Sequence, residues 1–419
     1  MAEALFGIGL LVFLSLAFSA IFKKTLIPDV LLLIVLGILL GPAVLGWVKP
    51  SDLGKVGGVL STVALVVILF EGGTTLNIDL LKKMLKTTAS LAGLTFVMTA
   101  LVFSCLGHWL LGLNWMGSLV LGLIVGNISP AVALPIANSL DMREPTKTVL
   151  ILETGLTDVL SIVLVFGMLN SPAGDLEAGK LIGSILSSLV MAGVIGVAGG
   201  LLWAAILNTL RQFPNTSFAV FAWIFILYGV ADILGFSGAI AALAFGASLT
   251  NYQRLPLHNV ALFRERNMGE LSQTDMEFIH EVIFLLKTFF FVYLGMSIQF
   301  KNPVYLLLVL GAVVVVYTFR ALIVRRVLHG VNPGWEESYE MSVMAPKGLA
   351  AAVLAGAPAE RGMQGGDVIQ SAAYFIVLVT ITVTALLIPL MKQAAVGRVA
   401  RAFFGFPEPA PMEPEATSY

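Results

Sequence analysis

The stretch at 151–166, ILETGLTDVLSIVLVF, sets two carboxylates, Glu153 and Asp158, into a segment otherwise suited to hydrocarbon, with no Lys or Arg beside them. An ionised carboxylate in a bilayer costs at least ~2.5 kcal/mol, so partners elsewhere in the fold must justify it. At about 100° per residue along a helix, the two acids point about 140° apart and cannot serve one small site together. Around Asp158, Thr154 is offset by about 40°, Ser161 by about 60° and Thr157 by about 100°, all on one side. That stripe offers oxygen ligands around a single carboxylate, the chemistry that hard cations take. Buried acids in spanning helices also mark ion and proton paths; the competing reading of Asp158 is a protonated carboxyl bonded to a backbone carbonyl. Glu153 needs a basic partner. Arg320 is the best candidate, because its planar fork suits a carboxylate, and a structural pair holding helices together is the favoured reading of both.

The elements that must position these residues are membrane helices. Of 419 residues, 58% are hydrophobic and 12% charged, and the mean hydropathy is +0.95. Soluble chains carry about 25% charged residues, so a polytopic membrane protein is expected. Apolar runs predict thirteen spanning helices, at about 3–22, 28–46, 56–72, 87–110, 116–139, 147–169, 179–209, 216–234, 237–250, 277–298, 303–328, 338–358 and 368–391. With the N-terminus outside, cytoplasmic segments hold 16 of the 24 Lys and Arg residues and outer segments 5, a strong positive-inside bias. The other three, Lys287, Arg320 and Lys347, fall inside predicted helices as partners for buried acids. The first apolar run lacks a basic leader and is followed by Lys23 and Lys24, which favours a retained helix over a signal peptide. The lone Cys105 excludes an intrachain disulfide, and the Pro- and Glu-rich end reads as a disordered cytoplasmic tail.

Thirteen helices divide as six, one linker and six, which makes any repeat inverted, as in many secondary transporters. LFEGGTTLN at the end of the third helix aligns with FVYLGMSIQ at the end of the tenth. The fifth and twelfth helices are both interrupted, in VGNISPAVALP and VMAPKGLAAAVLA. Pro130 and Pro346 each remove a backbone donor and disfavour helix in the preceding residue. A simple proline kink explains either alone; two at corresponding positions predict crossed half-helices around an ion site, with Lys347 facing exposed carbonyls and helix C-terminal dipoles. Glu71 is either solvated at a helix end or a cation-concentrating acid at a cavity mouth. Lys287 could snorkel, meet Glu281 poorly, or line a funnel.

LFEGG at 69–73, ISP at 128–130, ETGLTD at 153–158, FRALIV at 319–324 and APKGLAAAVLA at 345–355 occur in an order and spacing that resemble the monovalent cation/proton antiporter superfamily, sodium/proton exchanger branch. The resemblance covers nearly the whole chain. It implies a secondary antiporter of the bacterial inner (plasma) membrane, not an enzyme, exchanging Na+, alternatively K+ or Li+, for H+ by alternating access. The resemblance implies Asp158 as the cation and proton carrier, with Na+ held there, Thr154 as a hydroxyl ligand and Glu71 as an acid near the site. With the stripe and the first broken helix, the candidate site is Asp158, Thr154, Thr157, Ser129, Asn127, Glu71 and Ser161. Glu153 and Arg320 match a structural ion pair, and Lys347 stands where relatives carry an arginine. Two departures matter: Thr157 replaces the usual Asn before the aspartate, and Ser129 replaces a usual aspartate. One titrating carboxylate remains, as in exchangers that move one proton per cation.

The resemblance further implies an all-α fold with a mobile core, a scaffold that forms a homodimer, and no cofactor or nucleic-acid partner. Residues 1–78 and 211–300 are assigned to the scaffold, 79–170 and 301–395 to the core, 171–210 to a linker helix and 396–419 to the tail. The rival readings are a sodium-coupled organic-anion carrier, a channel, and an intramembrane enzyme. The last lacks D-x-x-x-D, H-E-x-x-H and G-x-S-x-G motifs.

Overall fold

The computed structural model describes residues 2–25, 27–74, 78–140, 142–169, 178–212, 216–251, 271–298, 303–330, 333–391 and 393–405. Helices account for its regular structure, and no strand occurs among the described residues. In chain order they are α1 (Ala2–Thr25), α2 (Asp29–Leu40), α3 (Gly54–Thr74), α4 (Ile78–Trp109), α5 (Trp115–Ile124), α6 (Pro130–Ser139), α7 (Glu144–Leu169), α8 (Ala178–Leu210) and α9 (Thr216–Ile233). Then follow α10 (Gly238–Asn251), α11 (Gln273–Ser297), α12 (Pro303–Val327), α13 (Gly334–Val343), α14 (Leu349–Leu354), α15 (Ala357–Glu360), α16 (Gly366–Leu390) and α17 (Ala394–Phe404). Every predicted apolar run coincides with helix, and among the described residues eight helices are long and apolar enough to cross a bilayer. Helices suit lipid because they satisfy their backbone groups internally.

The fifth and twelfth runs are broken. α5 and α6 are separated by non-helical residues 125–129, and α13 and α14 by residues 344–348. The twelfth breaks again before α15, which its continuous apolar run did not signal. The second run ends at Leu40 rather than extending to 46, because Gly41 takes an extended conformation there. The assignment of the tail from 396 onward needs correction: α17 occupies the first part. Its apolar residues recur at helical spacing, bury Ala400 and Phe404, and pack on α13. Residues 406–419 lie outside the described residues, as do Thr75 to Asn77 and Gln299 of the proposed repeat match.

Two sets of helices pack tightly within themselves. In one, α4 packs on α5, α7 and α12, while α16 packs on α5, α12, α13 and α14. In the other, α10 packs on α3, α8 and α9, and α11 on α1, α2 and α3. The linker helix of the sequence reading, α8, thus lies chiefly against the second set. The sets meet where α7 touches α8 and α10, where α14 touches α3, and where α16 touches α2 and α11.

Matched glycines set two crossings in the second set. A Cβ on Gly73 would strike the Leu243 carbonyl oxygen of α10, and one on Gly246 the Phe70 carbonyl of α3. Likewise a Cβ on Gly295 would strike the Ile34 carbonyl of α2, and one on Gly37 the Val292 carbonyl of α11. Helices 3 and 9 of the thirteen cross as helices 10 and 2 do, which is the pairing an inverted repeat requires. Small residues allow such backbone approach in lipid.

Candidate functional site

The two interruptions meet. The Ser129 N–H donates to the Pro346 carbonyl at 2.8 Å, and the Lys347 ammonium to the Asn127 carbonyl at 2.7 Å. The Lys347 N–H donates to Thr380 Oγ1 of α16 at 3.0 Å. Each contact satisfies a backbone group that an interrupted helix leaves open. Pro130 occupies the first turn of α6, where its missing N–H removes nothing the helix would use. Gly348 is obligatory here, since a Cβ would run into the Ser129 side chain. Lys347 is 1% exposed. Its charge stands just past the C-terminal end of α5, where the helix dipole favours a cation.

Asp158, 4% exposed, projects from α7 to this crossing, and the Asn127 side-chain amide donates to its Oδ1 at 2.7 Å. Asn127 Oδ1 and Ser129 Oγ are buried without a hydrogen-bond partner among the described residues. The stripe on α7 divides its work. The Thr157 hydroxyl donates to the Glu153 carbonyl of its own helix and accepts the Ile128 N–H at 3.1 Å, pinning the first interruption to α7. The Ser161 hydroxyl donates to the Leu123 carbonyl at 2.5 Å and so holds the end of α5. Thr154 donates to the Ile151 carbonyl at 2.8 Å and lines a cavity together with Asp158.

That cavity has a volume of about 350 Å³ and runs between α3, α6, α7, α10 and α11. Glu71, Asn138, His280 and Lys287 join Asp158 and Thr154 in its lining. Glu71 Oε1 lies 3.2 Å from His280 Nε2, and Lys287 is held by Asp29 of α2 at 3.0 Å. Glu281 is not the partner of Lys287. Asp29 and His280 were not singled out from the sequence. Asp29 follows Pro28 at the start of an apolar run and resembles an ordinary helix-start acid. His280 precedes Lys287 by seven residues, which is two helical turns on one face, and that spacing could have found it.

Glu153 lies on another side of α7, away from this cavity. Arg320 of α12 meets it through two bonds, Nη1 to Oε1 at 2.6 Å and Nη2 to Oε2 at 2.9 Å. The Arg320 Nε donates to the Met341 carbonyl at 2.9 Å, and the Thr95 hydroxyl donates to Glu153 Oε1 at 3.1 Å. The pair is 0% and 2% exposed and joins α4, α7, α12 and α13. A further bridge missed in the sequence sits at one end of this set. Arg143 Nε lies 3.0 Å from Glu337 Oε1, and the Thr146 hydroxyl donates to Glu337 Oε2 at 2.6 Å.

A sequence profile of the sodium/hydrogen exchanger family, transmembrane, matches residues 9–393. Among characterised proteins, the chain is 28% identical to a K(+)/H(+) antiporter, NhaP, of Alkalimonas amylolytica over 278 residues, covering 64% of this chain and 47% of that protein. It is 22% identical to the K(+)/H(+) antiporter NhaP2 of Shewanella oneidensis, over 91% of this chain and 65% of that one. It is 25% identical to Na(+)/H(+) antiporter 1 of Methanocaldococcus jannaschii, over 83% and 81% of the two chains. The chain therefore spans about half to two thirds of the length of the first two relatives. Its fold superposes on the solved structure of the sodium proton antiporter MjNhaP1 from M. jannaschii with a TM-score of 0.69 and 22% identity, over 96% of this chain and 99% of that one.

Proposed function

Because the chain belongs to the transmembrane sodium/hydrogen exchanger family, we propose that it is a secondary antiporter that exchanges a monovalent cation for H+ through Asp158. The observation that carries this reading is the cavity itself, which reaches from a mouth bordered by Glu71 and His280 to a buried carboxylate at the crossing of two broken helices. Asp158 and Thr154 offer the cavity hard oxygens suited to Na+ or K+, and the unpartnered oxygens of Asn127 and Ser129 lie in the adjoining broken-helix segment. A cation and a proton compete for Asp158, so each lowers the affinity for the other by linkage. If the carrier moves only when this carboxylate is neutralised, competition becomes coupled flux.

We take α4–α7 and α12–α16 as the moving core, α1–α3 and α9–α11 as the scaffold and dimer surface, and α8 as the linker. The cavity mouth lies among helix ends that the distribution of Lys and Arg assigns to the cytoplasm. On that assignment the carrier faces inward here, with the N-terminus outside.

Relatives include both Na(+)/H(+) and K(+)/H(+) antiporters, so the cation is chosen by experiment. Purified protein in vesicles should change internal pH when Na+ or K+ is added outside, and Asp158→Asn should abolish the response while the protein stays folded. Robust exchange by Asp158→Asn, or none by wild type with Na+, K+ or Li+, would sink the reading.

A further inference from the structure

A second cavity, of about 650 Å³, opens between α3, α9, α11 and α15, lined by Gly58, Thr62, Val66, Tyr228, Tyr293 and Glu360 among others. It shares two walls with the Asp158 cavity but at their opposite ends. On α3, Gly58, Val59, Thr62, Val63 and Val66 line the second cavity and Ile68, Leu69, Glu71 and Gly72 the first. At ~1.5 Å per residue, Gly58 and Glu71 stand about 20 Å apart along that helix. On α11, Tyr293 faces the second cavity, whereas His280, Ile283, Phe284 and Lys287 face the first. On α3 packs α14, with Ala351, Ala352 and Leu354 buried and none of them lining either cavity. In the inference below, this small-residue segment of the broken helix, which follows Lys347, serves as the barrier.

The chemistry of the second cavity is sparse and specific. Among otherwise apolar walls it offers one carboxylate, two phenols and the Thr62 hydroxyl. Among the described residues, no hydrogen bond or ion pair holds the exposed Glu360 carboxylate. The neighbouring Arg361 places its guanidinium over the Phe166 ring, 5.0 Å from the centroid. Oxygen ligands around one acid, with room for a hydration shell, suit a monovalent cation that keeps most of its water.

We propose that this cavity is the vestibule through which the cation enters and leaves on the face opposite the Asp158 cavity, with Glu360 as the acid that collects it there. Glu71 and Glu360 then serve the two faces in turn, one on the scaffold and one carried by the broken helix. The inference rests on the antiporter reading but assigns a separate residue and path.

Kinetics measured from each face test it. In oriented vesicles at low ionic strength, Glu360→Gln should raise the KM for cation supplied at its own face by about threefold, an effect that high salt removes. The KM at the Asp158 face and kcat should stay unchanged, and Glu360→Asp should restore wild-type behaviour. Equal KM changes at both faces, or none, would overturn the assignment. The path is tested without transport in a Cys105→Ser background. A membrane-impermeant thiol reagent should label Thr62→Cys from one face and Asn138→Cys from the other. Labelling of both from one face, or of Thr62→Cys by lipid-soluble reagents alone, would make the cavity a lipid-filled groove and end the proposal. Wild-type vesicles without exchange would instead overturn the antiporter reading, and this inference with it.

Discussion

Breaking the Glu153–Arg320 pair offers a quantitative test of how the proposed core is held together. The two bonds, at 2.6 and 2.9 Å, lie in an environment closed to water on both sides. Removing one member of such a pair leaves the other charge buried and costs ~3–5 kcal/mol. Glu153→Gln should fall at the low end, because an amide oxygen still accepts from Arg320 and the Met341 carbonyl still accepts from its Nε. Arg320→Met should fall at the high end, since the Thr95 hydroxyl alone remains for the Glu153 carboxylate. The double variant removes both charges and keeps the volume, so it should cost less than the two losses summed. The expected coupling is ~2–3 kcal/mol, near the upper range for residues in direct contact. Unfolding in mixed micelles with increasing SDS, followed by circular dichroism, gives all four free energies. Losses that add within ~0.5 kcal/mol would refute the reasoning, because that is the behaviour of residues that do not touch.

Three further outcomes follow from the same geometry. With equal Na+ on both sides of the vesicle membrane, an imposed potential should drive no pH change; Na+-dependent acidification would expose a second proton carrier, with Lys347 and Lys287 as the first residues to replace. Gly348→Ala should destabilise by ~1–3 kcal/mol through overpacking against the Ser129 hydroxyl and Cβ, and Ser129→Gly in the same chain, which removes both, should recover part of the loss; no recovery would mean that the collision is not the cause. Asp29→Asn should cost ~1–3 kcal/mol in the SDS titration by leaving Lys287 without its counter-charge, while cation-driven proton movement persists; an unchanged stability would show that the pair contributes nothing.

Much of the fold was legible because lipid restricts the choices. Long apolar runs must be helices, so their positions and the two interruptions could be read directly from hydropathy and proline. Glu153 and Arg320 could be matched because a buried acid with nothing basic nearby demands a distant base, and few were available. Lys287 shows where this logic fails. Its partner Asp29 is 258 residues away at the start of an apolar run, and nothing local distinguishes it from a solvated helix-start acid. The divided roles of Thr154, Thr157 and Ser161 were hidden for a different reason. Helical periodicity gives the side of α7 each occupies, but not that the broken-helix backbone claims the hydroxyls of Thr157 and Ser161. The second break near Ala355 needed tertiary contacts that periodicity does not supply, whereas the apolar residues of α17 recur at helical spacing and its helix was legible in the sequence.

The placement of buried charge bears on stoichiometry. Glu153 is matched by Arg320 in one set of helices, and Asp29 by Lys287 in the other, each joining an N-terminal helix to a C-terminal one. Such stapling would let each set move as a body, as the proposed alternating access requires, without exposing an unpaired charge to lipid. Arg143 and Glu337 do the same at the edge of the first set. At the crossing itself, Lys347 is engaged by the Asn127 carbonyl and by the dipole of α5, so it compensates fixed partial charges. In the proposed antiporter, Asp158 is then the group whose charge changes with its load. On the proposed reading, a sodium ion or a proton on that carboxylate leaves the same net charge in the proposed moving core, so the membrane potential would favour neither loaded form. Electroneutral exchange is therefore the expectation of this charge arrangement, and it holds only while Lys347 keeps its proton throughout the cycle.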